Sequence, residues 1–162
     1  MVEAIPRKTW TPLGIVRRFG ALIRKPSDAA LTLRIAWFMW HASGKLARVG
    51  LPGELDRIRS LARPACDDAD AGVERIARLR RPWFGLPALR GHDTCYMRAL
   101  TLYRFLGTPS GDLRIHFVIE PGDEPGARPR GHAWVTLAGR ILEEPPELAD
   151  EGRTRGLYTH PA

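Results

Sequence analysis

The chain is predicted to fold as an α+β domain. Up to about residue 106 the apolar residues recur at helical spacing, whereas from residue 113 onward they alternate with polar ones. Helices followed by antiparallel strands build an α+β domain, in contrast to the alternating βαβ units of a parallel sheet. With 162 residues, 44% of them hydrophobic, the chain is long enough for one domain with a sizeable core.

Four helices are predicted in the first half of the chain. Their expected ranges are 12–24, 29–49, 54–62 and 67–81. The first is basic and amphipathic. Pro26, Ser27 and Asp28 form a turn and a cap before the second helix, which is the most apolar in the chain. Because its apolar residues cover more than one face, the second helix is predicted to be the buried centre of a helical layer.

A fifth helix is predicted from Cys95 to about Leu106, after a loop over 82–91 that contains Gly and Pro. Thr94 precedes it, and a threonine hydroxyl at this position accepts hydrogen bonds from the free backbone N–H groups of the first turn. Gly107 breaks the helical pattern. The thiol of Cys95 is therefore expected at the start of this helix.

Three strands are predicted after that helix. Residues 113–119 form the first, 132–137 the second and 140–144 the third, and a short element is considered at 156–159. A turn at Ala138 and Gly139 joins the second strand to the third. We divide the chain into an N-terminal helical region, 1–81, and a core, 82–162, and expect the two to pack as one unit.

Charge and cysteine content narrow the class of protein. The formal net charge is +7, and a basic surface favours an acidic peptide, a nucleic acid or an anionic membrane without choosing among them. Two cysteines, Cys66 and Cys95, are too few for a disulfide framework. No signal peptide is recognised, and no apolar run reaches the ~20 residues of a membrane span. We therefore expect a cytoplasmic protein with reduced thiols.

Cys95 is the candidate nucleophile. A helix N-terminus stabilises negative charge, so a thiol there can ionise near neutral pH, and an imidazole partner makes it a ready nucleophile. The alternative interpretation is a small buried apolar side chain, a common role of free cysteine. Cys66 also stands at a predicted helix start. No strand with a histidine points to Cys66, so we interpret it as structural.

His132 is the candidate base because it opens a predicted strand, which holds its ring rigidly. The alternative bases are His92, His116, His41 and His160.

An acidic residue is needed to orient such a histidine. A strict two-residue turn at 138–139 places Glu143 on the face of His132, whereas a longer turn or a bulge places Glu144 there. The sequence contains neither zinc-ligand spacing nor a phosphate-binding loop. We therefore expect no metal and no cofactor.

Three segments together resemble one known family. They are residues 94–106 (TCYMRALTLYRFL), 113–119 (LRIHFVI) and 131–140 (GHAWVTLAGR). In this order they are similar to the lasso-peptide leader peptidases, transglutaminase-like cysteine proteases that in some members form the C-terminal domain of a microcin-processing protein. The resemblance implies a papain/transglutaminase-like core, in which the Cys helix packs on an antiparallel sheet that carries the His and the acid.

The resemblance also implies a site and a reaction. The family uses a Cys-His-Asp triad, which falls here on Cys95, His132 and Glu144, and the choice of Glu144 requires the longer turn. The family removes the leader peptide from a ribosomally made precursor. Its partners are a leader-recognition protein and an ATP-dependent lasso cyclase. We expect no nucleic-acid partner and no stable membrane insertion.

Two further functions stay open at this point. One is another transglutaminase-like thiol enzyme, which transfers an amine or cleaves a different peptide. The other is a non-catalytic peptide-binding module on the same fold. A minor alternative is a membrane-surface role for the basic N-terminal helix.

Overall fold

The computed structural model describes residues 20, 22–49, 51–62, 68–86, 89, 94–107, 112–120, 130–143 and 158–160. These residues form four helices and a four-stranded sheet: α1 (Pro26–Val49), α2 (Leu51–Ser60), α3 (Ala69–Phe84), α4 (Cys95–Leu106), β1 (Leu113–Glu120), β2 (Arg130–Leu137), β3 (Arg140–Leu142) and β4 (Tyr158–His160). The helices precede the strands, so the α+β prediction is confirmed. The helix predicted at 12–24 lies largely outside the described residues.

Helix α1 begins at Pro26, three residues earlier than predicted. Proline suits the first helical position, and the Asp28 carboxylate reaches back to accept hydrogen bonds from the backbone N–H groups of Arg24 (2.9 Å) and Lys25 (3.2 Å). The side chain of Arg75, from α3, also donates to Asp28 at 2.7 Å. Burial by itself raises the pKa of Asp28, but these hydrogen bonds outweigh it and leave the pKa lowered.

The apolar residues of α1 are not all buried, so the prediction of a fully buried central helix is wrong. One face is buried among the other helices and includes Leu31, Ile35, Phe38, Met39 and Ala42. The opposite face is exposed: Leu33, Trp37 and Trp40 are 65%, 69% and 59% exposed. Among the residues that the structure describes, α2, α3 and α4 pack on one side of α1, and no element covers the other side.

Helix α3 extends beyond the predicted end at residue 81. Asp68 caps its N-terminus and accepts from the N–H groups of Asp70 and Ala71, and the helix continues through Pro82 to Phe84. Pro82 has no backbone N–H and cannot donate a hydrogen bond to the preceding turn. The burial of Phe84 against the core offsets this loss. The division of the chain at residue 82 stays a prediction, and one buried cluster contains residues from both sides of it.

The sheet is antiparallel, with the strand order β3-β2-β1-β4. Its two faces differ because side chains alternate along each strand. The face toward the helices buries Leu113, Ile115, Phe117, Ala133 and Val135. The opposite face, which we call the outer face, carries His116, Val118, Trp134 and Thr136, all of them buried as well.

The turn between β2 and β3 is a strict two-residue hairpin. Leu137 pairs directly with Arg140, and the intervening Ala138 and Gly139 have φ angles of 49° and 79°. Two positive φ angles are typical of the type I′ turn, whose twist matches that of the flanking strands. The longer turn required by the assignment of Glu144 is therefore wrong. Strand β3 ends at Leu142, two residues earlier than predicted. Strand β4 begins two residues later and ends one residue later than the short element considered at 156–159.

Candidate active site

Cys95 is the first residue of α4, as predicted. Thr94 has the extended backbone of an N-cap residue (φ −119°, ψ 153°), and its hydroxyl accepts a hydrogen bond from the N–H of Met97 at 3.2 Å. The Cys95 residue is neither fully buried nor fully exposed. Its side chain is therefore carried by the first helical turn, at the positive end of the helix dipole.

The thiol of Cys95 contacts strand β2. Its Sγ lies 3.6 Å from the carbonyl oxygen of Gly131 and donates a weak hydrogen bond to it. Helix α4 packs on β2 through the buried cluster that contains Leu100 and Ala133. Because Gly131 directly precedes His132, the strand predicted to carry the base passes beside the sulfur.

The His132 side chain, however, lies on the outer face of the sheet. His132 pairs with Val118, and its ring stacks on Trp134 with centroids 5.8 Å apart and planes inclined by 24°. His116 stacks on Trp134 as well, at 5.1 Å and 9°. Nε2 of His132 is buried and has no hydrogen-bond partner among the described residues. The thiol thus contacts Gly131, and the imidazole belongs to the next residue of β2. The two groups do not form a hydrogen bond in this structure.

Glu143 is turned toward the helices and away from His132. Its carboxylate accepts two hydrogen bonds from Arg80, both 3.1 Å long, and Arg80 also donates to the carbonyl of Arg98 at 3.1 Å. The expectation that a two-residue hairpin places Glu143 on the face of His132 is wrong, because β3 has ended and Glu143 has a φ of 65°. Glu144 lies outside the described residues.

The other candidate bases have partners of their own. The ring of His116 bonds to the hydroxyls of Thr159 (3.1 Å) and Thr136 (2.9 Å). His160 is buried between the hydroxyl of Tyr103 and the carboxylate of Asp56. His41 Nδ1 contacts the carbonyl of Trp37 on its own helix. His92 and Cys66 lie outside the described residues.

Sequence reasoning missed the surroundings of Tyr96, the residue next to Cys95. Burial raises the pKa of Tyr96 to about 12, and the negative charge of Glu54 adds to the shift. Glu54 is fully buried and forms an ion pair with Arg57. The phenol of Tyr96 therefore stays protonated at neutral pH. The signal in the sequence was Glu54, a glutamate that directly precedes Leu55 on the buried face of α2.

Metal and membrane sites find no support in the part of the chain that the structure describes. No group of three or more His, Cys, Asp or Glu side chains there is arranged to hold a metal ion. None of the described helices is both long and apolar enough to cross a bilayer. A scan of protein-family models and searches of curated proteins and solved structures returned no match to the chain.

Proposed function

We propose that the chain is a transglutaminase-like cysteine peptidase that removes a leader peptide in lasso-peptide maturation, with Cys95 as its nucleophile. One observation carries the proposal: Cys95 is the first residue of a capped helix, and its sulfur contacts the carbonyl of Gly131, the residue of β2 that precedes His132. A helix N-terminus stabilises an anion by about 0.3–1 kcal/mol, and an adjacent imidazolium adds to this.

The proposed reaction has two steps. The Cys95 thiolate attacks the carbonyl carbon of the bond between leader and core, and the backbone N–H of Cys95 donates to the oxyanion. His132 passes its proton to the departing amine, which releases the core and leaves the leader as a thioester. Water, activated by His132, then frees the leader as a carboxylic acid. A leader-recognition protein delivers the precursor, and an ATP-dependent cyclase uses the new amine.

This mechanism requires His132 to leave its stack on Trp134 and reach the side of β2 on which α4 packs. A rotation of the ring alone does not achieve this, so β2 must turn locally at His132 and lose its pairing with Val118. The movement breaks no hydrogen bond at Nε2, because that nitrogen is buried and has no partner among the described residues. A buried ring nitrogen without a partner is unfavourable, so a bond to the thiol provides a driving force.

Glu144 stays the proposed acid although the hairpin is strict. Strand β3 ends at Leu142, so the alternation that tied Glu144 to a longer turn does not extend to it, and the carboxylate of Glu143 is already bound by Arg80.

A non-catalytic peptide-binding module is the second candidate. Two observations favour it: His132 lies on the opposite sheet face from α4, and Glu143 is held by Arg80 instead of the histidine. In that case Cys95 serves as a small side chain in the contact between α4 and β2, and the fold binds a peptide without cleaving it.

Reconstitution separates these functions. The purified chain is incubated with a lasso precursor peptide and a leader-recognition protein, and the products are measured by intact-mass spectrometry. The peptidase gives two fragments whose masses sum to that of the precursor plus one water, and Cys95→Ala abolishes them. Loss of ammonia with cross-linked products indicates amine transfer. An intact precursor that co-purifies with the chain indicates a binding module and overturns the peptidase proposal.

A further inference from the structure

We propose that the groove between α1, α2 and α4 is a docking site for an acidic amphipathic helix of a partner protein. The groove has a volume of about 690 Å³ and is open to solvent. It is lined by exposed apolar side chains and by three arginines. Amphipathic helices bind such grooves through apolar residues spaced three and four apart.

The apolar part of the groove is formed by Leu33 and Trp37 of α1 and by Leu61, which follows α2. These side chains are 65%, 69% and 46% exposed. Leu33 and Trp37 are four residues apart and therefore lie side by side on the helix surface. Exposed apolar side chains that cluster in a concavity mark an interaction site, and tryptophan is enriched among the residues that dominate binding energy.

The charged part of the groove is positive. Arg34 and Arg104 lie over the Phe105 ring, with their guanidinium carbons 5.6 Å and 5.2 Å from its centroid. Arg57 is paired with the fully buried Glu54. No acidic side chain is found among the described residues that line the groove. No described acidic side chain forms an ion pair with Arg34, so this guanidinium is available to a carboxylate of the partner.

Charge also argues against two other occupants. A second copy of the chain would bring a protein with a net charge of +7 against itself, and a symmetric contact would place the groove arginines near one another. The chain's own first 19 residues carry Glu3 as their sole acidic residue, against Arg7, Lys8, Arg17 and Arg18. Both of these occupants are basic. The groove instead requires an occupant with acidic side chains for its arginines and apolar side chains for its apolar lining.

The docking site is separate from the candidate active site. Phe105 follows Cys95 by ten residues on α4, a distance of roughly 15 Å along the helix. The part of α4 that lines the groove is therefore at the opposite end of the helix from the thiol. The inference rests on surface shape and charge alone and holds whether or not Cys95 is catalytic.

The test uses a fluorescently labelled synthetic helix of about 16 residues, with Leu and Phe on one face and Glu on the other. Binding to the full chain is measured by fluorescence anisotropy. We expect Trp37→Ala to weaken binding about tenfold or more, whereas Trp40→Ala, which removes an exposed tryptophan of the same helix outside the groove, leaves it unchanged. Arg34→Glu should weaken binding to a similar extent, and Arg114→Glu, on exposed β1 surface, much less.

Several results would overturn the proposal. One is equal binding by a peptide in which every Glu is replaced by Lys. Another is equal loss of binding in Trp37→Ala and Trp40→Ala. Sedimentation that shows a dimer dissociated by Trp37→Ala would assign the groove to a second copy. If the chain does not bind the peptide but is recruited to phosphatidylserine vesicles, and Trp37→Ala abolishes this recruitment, the groove is assigned to a membrane surface. Circular dichroism checks that each variant is folded.

Discussion

Arg80 of α3 donates two hydrogen bonds, each 3.1 Å long, to the carboxylate of Glu143 at the end of β3. The side chains are 7% and 15% exposed, so this ion pair joins the helical layer to the sheet away from most solvent. A third hydrogen bond, from Arg80 to the carbonyl of Arg98, connects α4 to the same group. The pair therefore holds together three of the elements that surround the candidate active site.

Removal of Arg80 should destabilise the fold strongly. Arg80→Ala leaves a largely buried carboxylate without its partner, which costs about 3 kcal/mol of unfolding free energy. The matched control is Arg140→Ala, which breaks the ion pair between Arg140 and Asp70. The side chains of these two residues are 59% and 69% exposed. An exposed pair contributes about 0–1 kcal/mol. Urea unfolding of both variants gives the comparison, and equal destabilisation would contradict a structural role for the Arg80–Glu143 pair.

Asp28 should make the free energy of unfolding decrease as the pH is lowered. Its pKa is lowered in the folded chain, so the folded state favours the ionised form. The resulting stabilisation is present above the unfolded pKa of about 3.9 and is lost as the pH falls through the lower folded value. We expect Asp28→Asn to lower the unfolding free energy at neutral pH and to differ less from wild type at acidic pH. Urea titrations across this range measure the difference, and a constant gap would refute the linkage.

Substitution of Glu143 and of Glu144 should have different effects on peptide cleavage. Glu143 is bound by Arg80, so Glu143→Gln is expected to lower stability more than kcat/KM. Glu144→Gln is expected to lower kcat/KM more, because we propose that this carboxylate orients His132. Precursor cleavage and urea unfolding are measured on both variants. The reverse ranking in kcat/KM would assign the acid role to Glu143 and would require its release from Arg80.

His132→Ala should lower cleavage by several orders of magnitude, since general acid–base catalysis contributes about 10²–10⁴-fold and the histidine acts in both steps. His92→Ala, which removes the histidine nearest to Cys95 in sequence, should have little effect. Precursor cleavage by the two variants is compared under identical conditions. An equal loss in both would mean that His92 is the base.

The start of α4 could be predicted because its determinants are local. Thr94 caps the helix, and Cys95 follows at its first position, as the residue types indicate. The alternation of β1 and the position of the turn at Ala138 and Gly139 are likewise fixed by neighbouring residues, whereas the sequence does not choose between a two-residue turn and a longer one. Pro82 did not end α3, although a proline cannot donate a backbone hydrogen bond, because the helix continues to Phe84, which is buried against the core.

The rest of the site depends on contacts between residues far apart in sequence. The orientation of Glu143 is determined by Arg80, 63 residues earlier. His132 shares its face with His116 and Trp134, and stacking on Trp134 competes with the thiol for the ring. The exposure of Trp37 could not be predicted from apolar content, because it depends on which side of α1 the other helices cover.

Alkylation without a substrate shows whether Cys95 is a nucleophile activated by His132. Iodoacetamide labelling of Cys95 is measured by peptide mass spectrometry from about pH 5 to about pH 9, in wild type and in His132→Ala, with Cys66 as a second thiol in the same molecule. We expect fast labelling of Cys95 at acidic pH in wild type and its loss in His132→Ala. If Cys95 is labelled like an ordinary thiol in both proteins, Cys95 is not activated by His132.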